Sequence, residues 1–129
     1  KIAKPKKTVV SLMGDGGFGM TISELSTAVE HGINTITIVL NNKSWGAEKA
    51  YQKDFFGKRY LGADIKSPSF DKAAELYGAK GFKVKKISEL NEAVRAAIKS
   101  NKPSVIDVDV DPKALYSFRR DSFKHREKK

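Results

Sequence analysis

The chain has 129 residues, a formal net charge of +10 and no cysteine. This length suits one domain with a substantial hydrophobic core. The lack of cysteine excludes disulfides and thiolate zinc sites and fits a reducing compartment. No apolar run approaches the roughly 20 residues of a membrane span, and the basic start lacks the apolar core of a signal peptide. We therefore expect a cytoplasmic protein with no membrane partner.

The positive charge is concentrated at the two ends. Residues 1–7 contain four lysines and no acid, and residues 119–129 contain six Lys or Arg against two acids, so these ends carry eight of the ten net charges. No basic face interleaved with aromatics accompanies them, which disfavours the alternative of a nucleic-acid-binding domain. We predict a basic tail over residues 1–7, an α/β domain over residues 8–111 and a second basic tail over residues 112–129, with no nucleic-acid partner.

The first half of the domain has the pattern of a strand, a loop, a helix and a strand. Residues 8–13 are a short, nearly continuous apolar run that begins with β-branched residues, which predicts a strand buried on both faces of a parallel sheet. A glycine loop follows, and Thr21 with Glu24 then predicts a capping box at the start of an amphipathic helix that ends at Gly32. Residues 35–40 form the second predicted strand.

The second half begins with a long segment, residues 42–68, that has no clear periodicity and is predicted to be a functional loop. A helix over residues 69–77 and a short strand over residues 82–84 follow. Ser88 is expected to cap the next helix, and residues 105–110 form the last strand. Because Asp107 and Asp109 alternate with apolar residues in that strand, we expect both to face solvent.

This order predicts a right-handed, mostly parallel α/β sheet of about four strands flanked by helices. A sheet this small is expected to leave edges open that further strands would cover. The two histidines, His31 at a helix end and His125 in the basic tail, fit structural roles better than catalysis.

Gly14, Asp15, Gly16 and Gly17 form a strand-to-helix turn that lets backbone N–H groups approach a phosphate. Asp15 would repel the phosphate unless a divalent cation lay between them, and magnesium prefers such oxygen ligands. Asn42, which follows the next strand, offers an amide oxygen to the same cation. The turn lacks the lysine of a P-loop, and a simple tight turn is the alternative.

Gly14-Asp15-Gly16, followed after 24 intervening residues by Asn41-Asn42, resembles the G-D-G…N-N signature of thiamine-diphosphate-dependent enzymes. Residues 69–84 and 102–108 also resemble later parts of that family's diphosphate domain. The resemblance implies thiamine diphosphate and Mg²⁺ as cofactors and a thiamine-diphosphate-binding fold. It implies as metal ligands the side chains of Asp15 and Asn42 and the carbonyl of Ser44, with N–H groups of Gly16 and Gly17 on the diphosphate.

Within this family, residues 45–49 with Gln52, and residues 118–121, look most like the sulfoacetaldehyde acetyltransferases, which convert sulfoacetaldehyde and phosphate to acetyl phosphate and sulfite. Arg119 and Arg120 suit binding of a small anionic substrate, with a solvated basic tail as the alternative. Trp45 either forms a wall of the cofactor site or anchors its loop.

The family's catalytic glutamate comes from a separate pyrimidine domain that has no counterpart in this sequence. The resemblance therefore implies a transferase or lyase that is inactive alone and works as a dimer or other homo- or hetero-oligomer. The pyrimidine domain would come from a missing N-terminal part or from another chain, as in sulfopyruvate decarboxylase-like pairs. A non-catalytic α/β binding module is the remaining alternative.

Overall fold

The computed structural model describes residues 1–117. Four strands form one parallel sheet in the spatial order β1-β2-β4-β3, which confirms the predicted architecture. Within residues 1–117, no helix is long and apolar enough to cross a lipid bilayer. The strands are β1 (Val10–Gly14), β2 (Ile36–Asn41), β3 (Lys80–Val84) and β4 (Ser104–Asp109).

Helices connect the strands and cover both faces of the sheet, as parallel strand pairs require. The α-helices are α1 (Asp15–Thr21), α2 (Glu24–Glu30), α3 (Gly46–Phe55), α4 (Phe70–Leu76) and α5 (Leu90–Ser100).

The sheet separates two hydrophobic cores. One core packs α1, α2 and α4 against one face, with Phe18 and Phe70 in edge-to-face contact at a ring distance of 5.1 Å. The other packs α5 against Ile36, Ile106 and Val108 on the opposite face. Because successive residues of a strand point to opposite faces, Asp107 shares the α4 side of the sheet with Val105.

β1 is an edge strand, so the prediction that it is buried on both faces is wrong. Among the described strands it pairs with β2 alone, and Val10 and Leu12 are 48% and 67% exposed. A nearly continuous apolar run fits a central strand, but its burial depends on neighbours that only the fold supplies. The expectation of an open sheet edge is confirmed here.

The glycine-rich segment is helical rather than a loop. Gly14 occupies the N-cap of α1, and residues 15–21 form the helix itself. The predicted capping box is absent because the Thr21 hydroxyl donates back to the carbonyls of Gly17 and Phe18, and Ser23 stands at the N-cap of α2. His31 occupies the C-cap of α2, where its backbone N–H donates to the Thr27 carbonyl at 3.0 Å.

Two further helix predictions need correction. The long segment after β2 contains α3, which is held partly by paired hydrogen bonds between the Gln52 amide and the Leu61 backbone. Ser88 does not cap α5. A 3₁₀ turn at Ile87–Glu89 precedes that helix, and the Glu89 carboxylate accepts the N–H groups of Lys85 and Lys86.

Gly81 in β3 lies directly against the backbone at the start of α4. A Cβ atom at this position would lie 2.0 Å from the backbone oxygen of Asp71, and backbone cannot move aside as a flexible side chain can. We predict that Gly81→Ala lowers the free energy of unfolding by about 3 kcal/mol, as measured by urea denaturation.

The control for this prediction is Gly17→Ala, because a Cβ at residue 17 meets no atom within 4 Å. Alanine is also favoured over glycine inside a helix by about 1 kcal/mol. Equal stabilities of the two variants would contradict the close approach of β3 to α4.

Candidate functional site

The carboxyl ends of β1 and β2 bring the sequence-predicted site residues together. Gly14, the last residue of β1, pairs with Leu40 in the parallel register. Asp15 and Asn41-Asn42 therefore emerge from adjacent strands at the same edge of the sheet, which is where open α/β sheets bind ligands.

Asp15 begins α1 and is almost completely buried, with 1% of its surface exposed. Its Oδ2 accepts a hydrogen bond from the Ser67 hydroxyl at 2.9 Å. No ion pair found within residues 1–117 involves Asp15. A buried carboxylate without a cationic partner is costly, so this position favours a bound cation.

Asn42 and Ser44 form the second half of the site. The Asn42 Oδ1 accepts hydrogen bonds from the Ser44 N–H at 3.2 Å and the Ser44 hydroxyl at 3.0 Å. A short bridge pairs Ser44 with Asp64 through the carbonyls of Lys43 and Ala63, which leaves the Ser44 carbonyl outside the pairing.

Gly46 limits the space around the Asn42 side chain. A Cβ at residue 46 would lie 2.7 Å from Asn42 Nδ2, so glycine lets the start of α3 pack closely against this amide. The donor set of one carboxylate, one amide and one carbonyl matches the few, hard oxygen ligands that Mg²⁺ takes from proteins. Within residues 1–117, no group of three His, Cys, Asp or Glu side chains is arranged to hold a metal.

Trp45 packs against Gly16. A Cβ at residue 16 would lie 2.7–2.9 Å from three atoms of the indole ring, and the backbone N–H of Trp45 donates to the backbone carbonyl of Ala63 at 2.8 Å. These contacts favour the loop-anchoring role for Trp45, although its side chain also borders the site. Both residues line a recess of 230 Å³ whose other lining residues are Asp15, Gly19, Met20, Ile65, Lys66, Ser67, Pro68 and Phe70.

We predict that Gly16→Ala displaces the Trp45 side chain, since the added methyl group and the indole cannot occupy the same space. Because Trp45 is the only tryptophan, its fluorescence emission should shift to longer wavelength as the ring becomes more exposed. Gly17→Ala, which adds a methyl group into open space, should leave the emission unchanged. An unshifted spectrum for Gly16→Ala would contradict the packing of Trp45 on Gly16.

Asp107 is fully buried, with 0% of its surface exposed, so the prediction that it faces solvent is wrong. Oδ1 accepts the Asn41 amide at 3.0 Å, and Oδ2 accepts the Phe70 N–H at 3.1 Å and lies 3.2 Å from Lys83 Nζ. The alternation with apolar residues places Asp107 on the face covered by α4, and these donors compensate its burial. Asp109 is exposed, as predicted, and also pairs with Lys83.

The sequence did not identify Ser67 and Lys83 as residues near the site. It identified Asp107 but not its burial. An acidic residue inside an apolar strand is a signal that could have pointed to this burial, because such a residue is either solvated or paired. Ser67 gives no comparable signal, since its partner Asp15 is 52 residues away in the sequence.

Lys83 is the cation that balances Asp107. Burial lowers the pKa of Lys83, but the hydrogen bonds and charges of Asp109 and Asp107 outweigh this effect and raise the pKa above its ordinary value of 10.5. A pKa that is higher in the folded state stabilises the protein below the ordinary pKa, and this stabilisation is lost as the pH rises through the folded-state pKa.

We predict that Lys83→Met lowers the free energy of unfolding at neutral pH by about 2 kcal/mol, since it leaves a buried carboxylate without its cation. The difference from wild type should shrink as the pH rises past 10.5 and through the higher folded-state pKa of Lys83, where the ammonium loses its proton. Denaturant unfolding over this pH range measures the effect, and Lys80→Met at an exposed position of the same strand is the control. A difference that does not change with pH would contradict the ion pair.

The predicted anion-binding residues Arg119 and Arg120, and His125 of the basic tail, lie outside the described residues. The division into two tails and a central domain stays a prediction. Among the described residues, Arg59 borders a second cavity of 330 Å³ beside α3, which is also lined by Ala47, Glu48, Tyr51, Gln52, Phe56, Leu61 and Ser117.

A parallel α/β sheet that presents an acid and an amide at the carboxyl ends of two adjacent strands defines a cofactor-binding domain of the open-sheet class. The chain belongs to the family described as the C-terminal TPP-binding domain of thiamine pyrophosphate enzymes, whose model matches residues 1–108. Its cofactor is therefore thiamine diphosphate.

Curated relatives include enzymes with different reactions. Over 126 residues, 95% of this chain and 21% of the relative, the chain is 36% identical to the sulfoacetaldehyde acetyltransferase of Castellaniella defragrans. It is also 36% identical over 118 residues, 91% of this chain and 20% of the relative, to a probable acetolactate synthase large subunit of Methanococcus aeolicus. The chain thus spans about a fifth of the length of the curated relatives it matches.

A solved structure shares the fold. Benzoylformate decarboxylase from Polynucleobacter necessarius superimposes with a TM-score of 0.81 and 27% sequence identity, covering 91% of this chain and 22% of that one. This similarity confirms the thiamine-diphosphate-binding fold expected from the sequence.

Proposed function

We propose that the chain is the magnesium- and diphosphate-binding part of an acyl-transferring thiamine-diphosphate enzyme. The reaction we propose is that of the sulfoacetaldehyde acetyltransferases, which convert sulfoacetaldehyde and phosphate to acetyl phosphate and sulfite. The main support for the metal site is that the Asp15 carboxylate is buried and has no cationic partner within residues 1–117. The 36% identity to the Castellaniella enzyme supports the reaction. Acetolactate synthesis is the second candidate, supported by equal identity to the Methanococcus relative.

In this proposal Asp15, the Asn42 amide oxygen and the Ser44 carbonyl hold Mg²⁺, and the cation neutralises the repulsion between Asp15 and the diphosphate. Gly16 and Gly17 lie in the first turn of α1, where backbone N–H groups lack intrahelical acceptors, so they are available to diphosphate oxygens. Gly14 brings the chain into this turn, and Trp45 closes the site over Gly16.

When bound, thiamine diphosphate supplies the nucleophilic carbon and the electron sink of the reaction. The residues of this chain bind and orient it by its diphosphate and its metal. The group that activates its aminopyrimidine ring comes, in our proposal, from a pyrimidine domain of another chain or of a longer polypeptide. The chain alone is then inactive, and its assembly is a homo- or hetero-oligomer.

In this proposal a small anionic substrate binds in the second cavity, whose lining includes the cation Arg59 together with Glu48, Leu61 and Phe56. Arg119 and Arg120 are further candidates for the same anion. The cytoplasmic location expected from the sequence stays a prediction.

We predict that thiamine diphosphate binds only in the presence of Mg²⁺ and that Asp15→Ala abolishes this binding, because the variant loses the only carboxylate ligand. Binding is measured by isothermal titration calorimetry, in which thiamine diphosphate is titrated into the protein once in the presence of MgCl₂ and once in the presence of EDTA. The control is Asp71→Asn, which removes the charge of a carboxylate in α4 that bonds to the Ser69 hydroxyl. Equal heats for Asp15→Ala and wild type would contradict the metal assignment.

A further inference from the structure

We propose that Asp107 is a positioning residue for the metal and diphosphate site. In this inference, which rests on the proposed function, the carboxylate fixes the turn at residues 41–44 and thereby aims the Asn42 amide and the Ser44 carbonyl at the cation. Asp107 touches neither metal nor cofactor in this arrangement and acts only through the groups bonded to it.

The first step runs through Asn41. Asp107 Oδ1 accepts the Asn41 amide N–H at 3.0 Å, and Asn41 Oδ1 in turn accepts the Lys43 N–H at 3.2 Å. The carboxylate can only accept at this distance, so it forces the amide nitrogen of Asn41 toward itself and the amide oxygen toward the turn. The orientation of Asn41 therefore determines whether Lys43 is held.

Lys43 needs to be held because its φ of +56° lies in the left-handed region. That conformation costs a non-glycine residue roughly 1–2 kcal/mol. Without the hydrogen bond from its N–H to Asn41, the Lys43 backbone would therefore return to a negative φ. Asn42 and Ser44 flank Lys43 on its two sides. A change in the backbone conformation of Lys43 therefore moves the Asn42 amide oxygen and the Ser44 carbonyl, which are the two metal ligands proposed at the end of β2.

The second step runs through Phe70. Asp107 Oδ2 accepts the Phe70 N–H at 3.1 Å, which fixes the start of α4. The Phe70 ring packs edge-to-face on Phe18, three residues after Asp15 in α1, and it also lines the recess beside Asp15. One buried carboxylate thus connects the elements that carry both halves of the metal site.

A purely structural role is the competing explanation, since Asp107 also pairs with Lys83 and any loss of it should lower stability. The two roles differ in what Asp107→Asn does to magnesium affinity. An asparagine that keeps its oxygen on the Phe70 N–H points its NH₂ at the Asn41 NH₂. Asn41 must then turn over, and it presents a donor instead of an acceptor to the Lys43 N–H.

An exchange variant, which combines Asp107→Asn with Asn41→Asp, restores every one of these hydrogen bonds with unchanged net charge. The new amide at position 107 would accept from the Phe70 N–H and donate to the new carboxylate at position 41. That carboxylate would accept both from this amide and from the Lys43 N–H. Asp109→Asn is the matched control, because it removes the exposed partner of Lys83 and leaves Asp107 in place.

The experiment titrates MgCl₂ into the full chain, in the assembly in which it is purified, at saturating thiamine diphosphate, and follows the heat by calorimetry. Thermal unfolding by circular dichroism gives the stability of each variant. We expect Asp107→Asn to weaken magnesium binding by about 10- to 100-fold, the exchange variant to return near the wild-type affinity, and Asp109→Asn to bind as wild type.

Folded Asp107→Asn with wild-type magnesium affinity would overturn the positioning role, and so would a folded exchange variant that stays weak. If Asp107→Asn does not fold, the exchange variant decides alone, with near-wild-type affinity supporting the role and weak affinity overturning it. Absence of any magnesium-dependent heat in the wild-type protein would instead contradict the proposed function, and this result is distinct from either failure of the positioning role.

Discussion

The arrangement of the site depends on the contacts that the buried Asp107 carboxylate makes with Asn41, Phe70 and Lys83. Asp107 lies in β4 between β2 and β3, and its partners come from both neighbouring strands and from α4. A charge with no exposed surface persists only when donors surround it, so Asn41, Phe70 and Lys83 have to converge on one point. That convergence fixes the end of β2 and the start of α4, and the recess is lined by residues of α1 and by Phe70 at the start of α4.

Close backbone approach is the second constraint on the site. Gly16 meets the Trp45 indole and Gly46 meets the Asn42 amide at distances that exclude a side chain. Space rather than backbone conformation favours glycine at these two positions, since neither has a positive φ. Gly16 and Trp45 line the recess beside Asp15, and Asn42 and Ser44 follow the adjacent strand at the same edge of the sheet. Our proposal combines their oxygen atoms with the first-turn N–H groups of α1 to hold a metal-bound diphosphate.

Much of this arrangement was predictable from the sequence. The G-D-G…N-N spacing identified the family. The periodicity of apolar residues and the residues typical of turns predicted the parallel four-stranded sheet, since these patterns reflect local geometry. Burial was not predictable in the same way. The apolar β1 became an exposed edge and the acidic Asp107 became buried, because both outcomes depend on partners such as Phe70 and Asn41, which are 37 and 66 residues from Asp107. Helix α3 was missed because Ala50 is its only buried residue, which leaves no clear apolar face to read.

A crystal structure with MnCl₂ and thiamine diphosphate, with data that record the anomalous signal of the metal, tests the proposed metal site most directly. We expect one manganese peak at ligand distance from the Asp15 carboxylate, the Asn42 amide oxygen and the Ser44 carbonyl, with the diphosphate between the metal and the first turn of α1. The Asp107–Asn41 hydrogen bond should be intact in the same map. A metal peak away from Asp15 and Asn42, or a diphosphate bound without contact to α1, would contradict this arrangement.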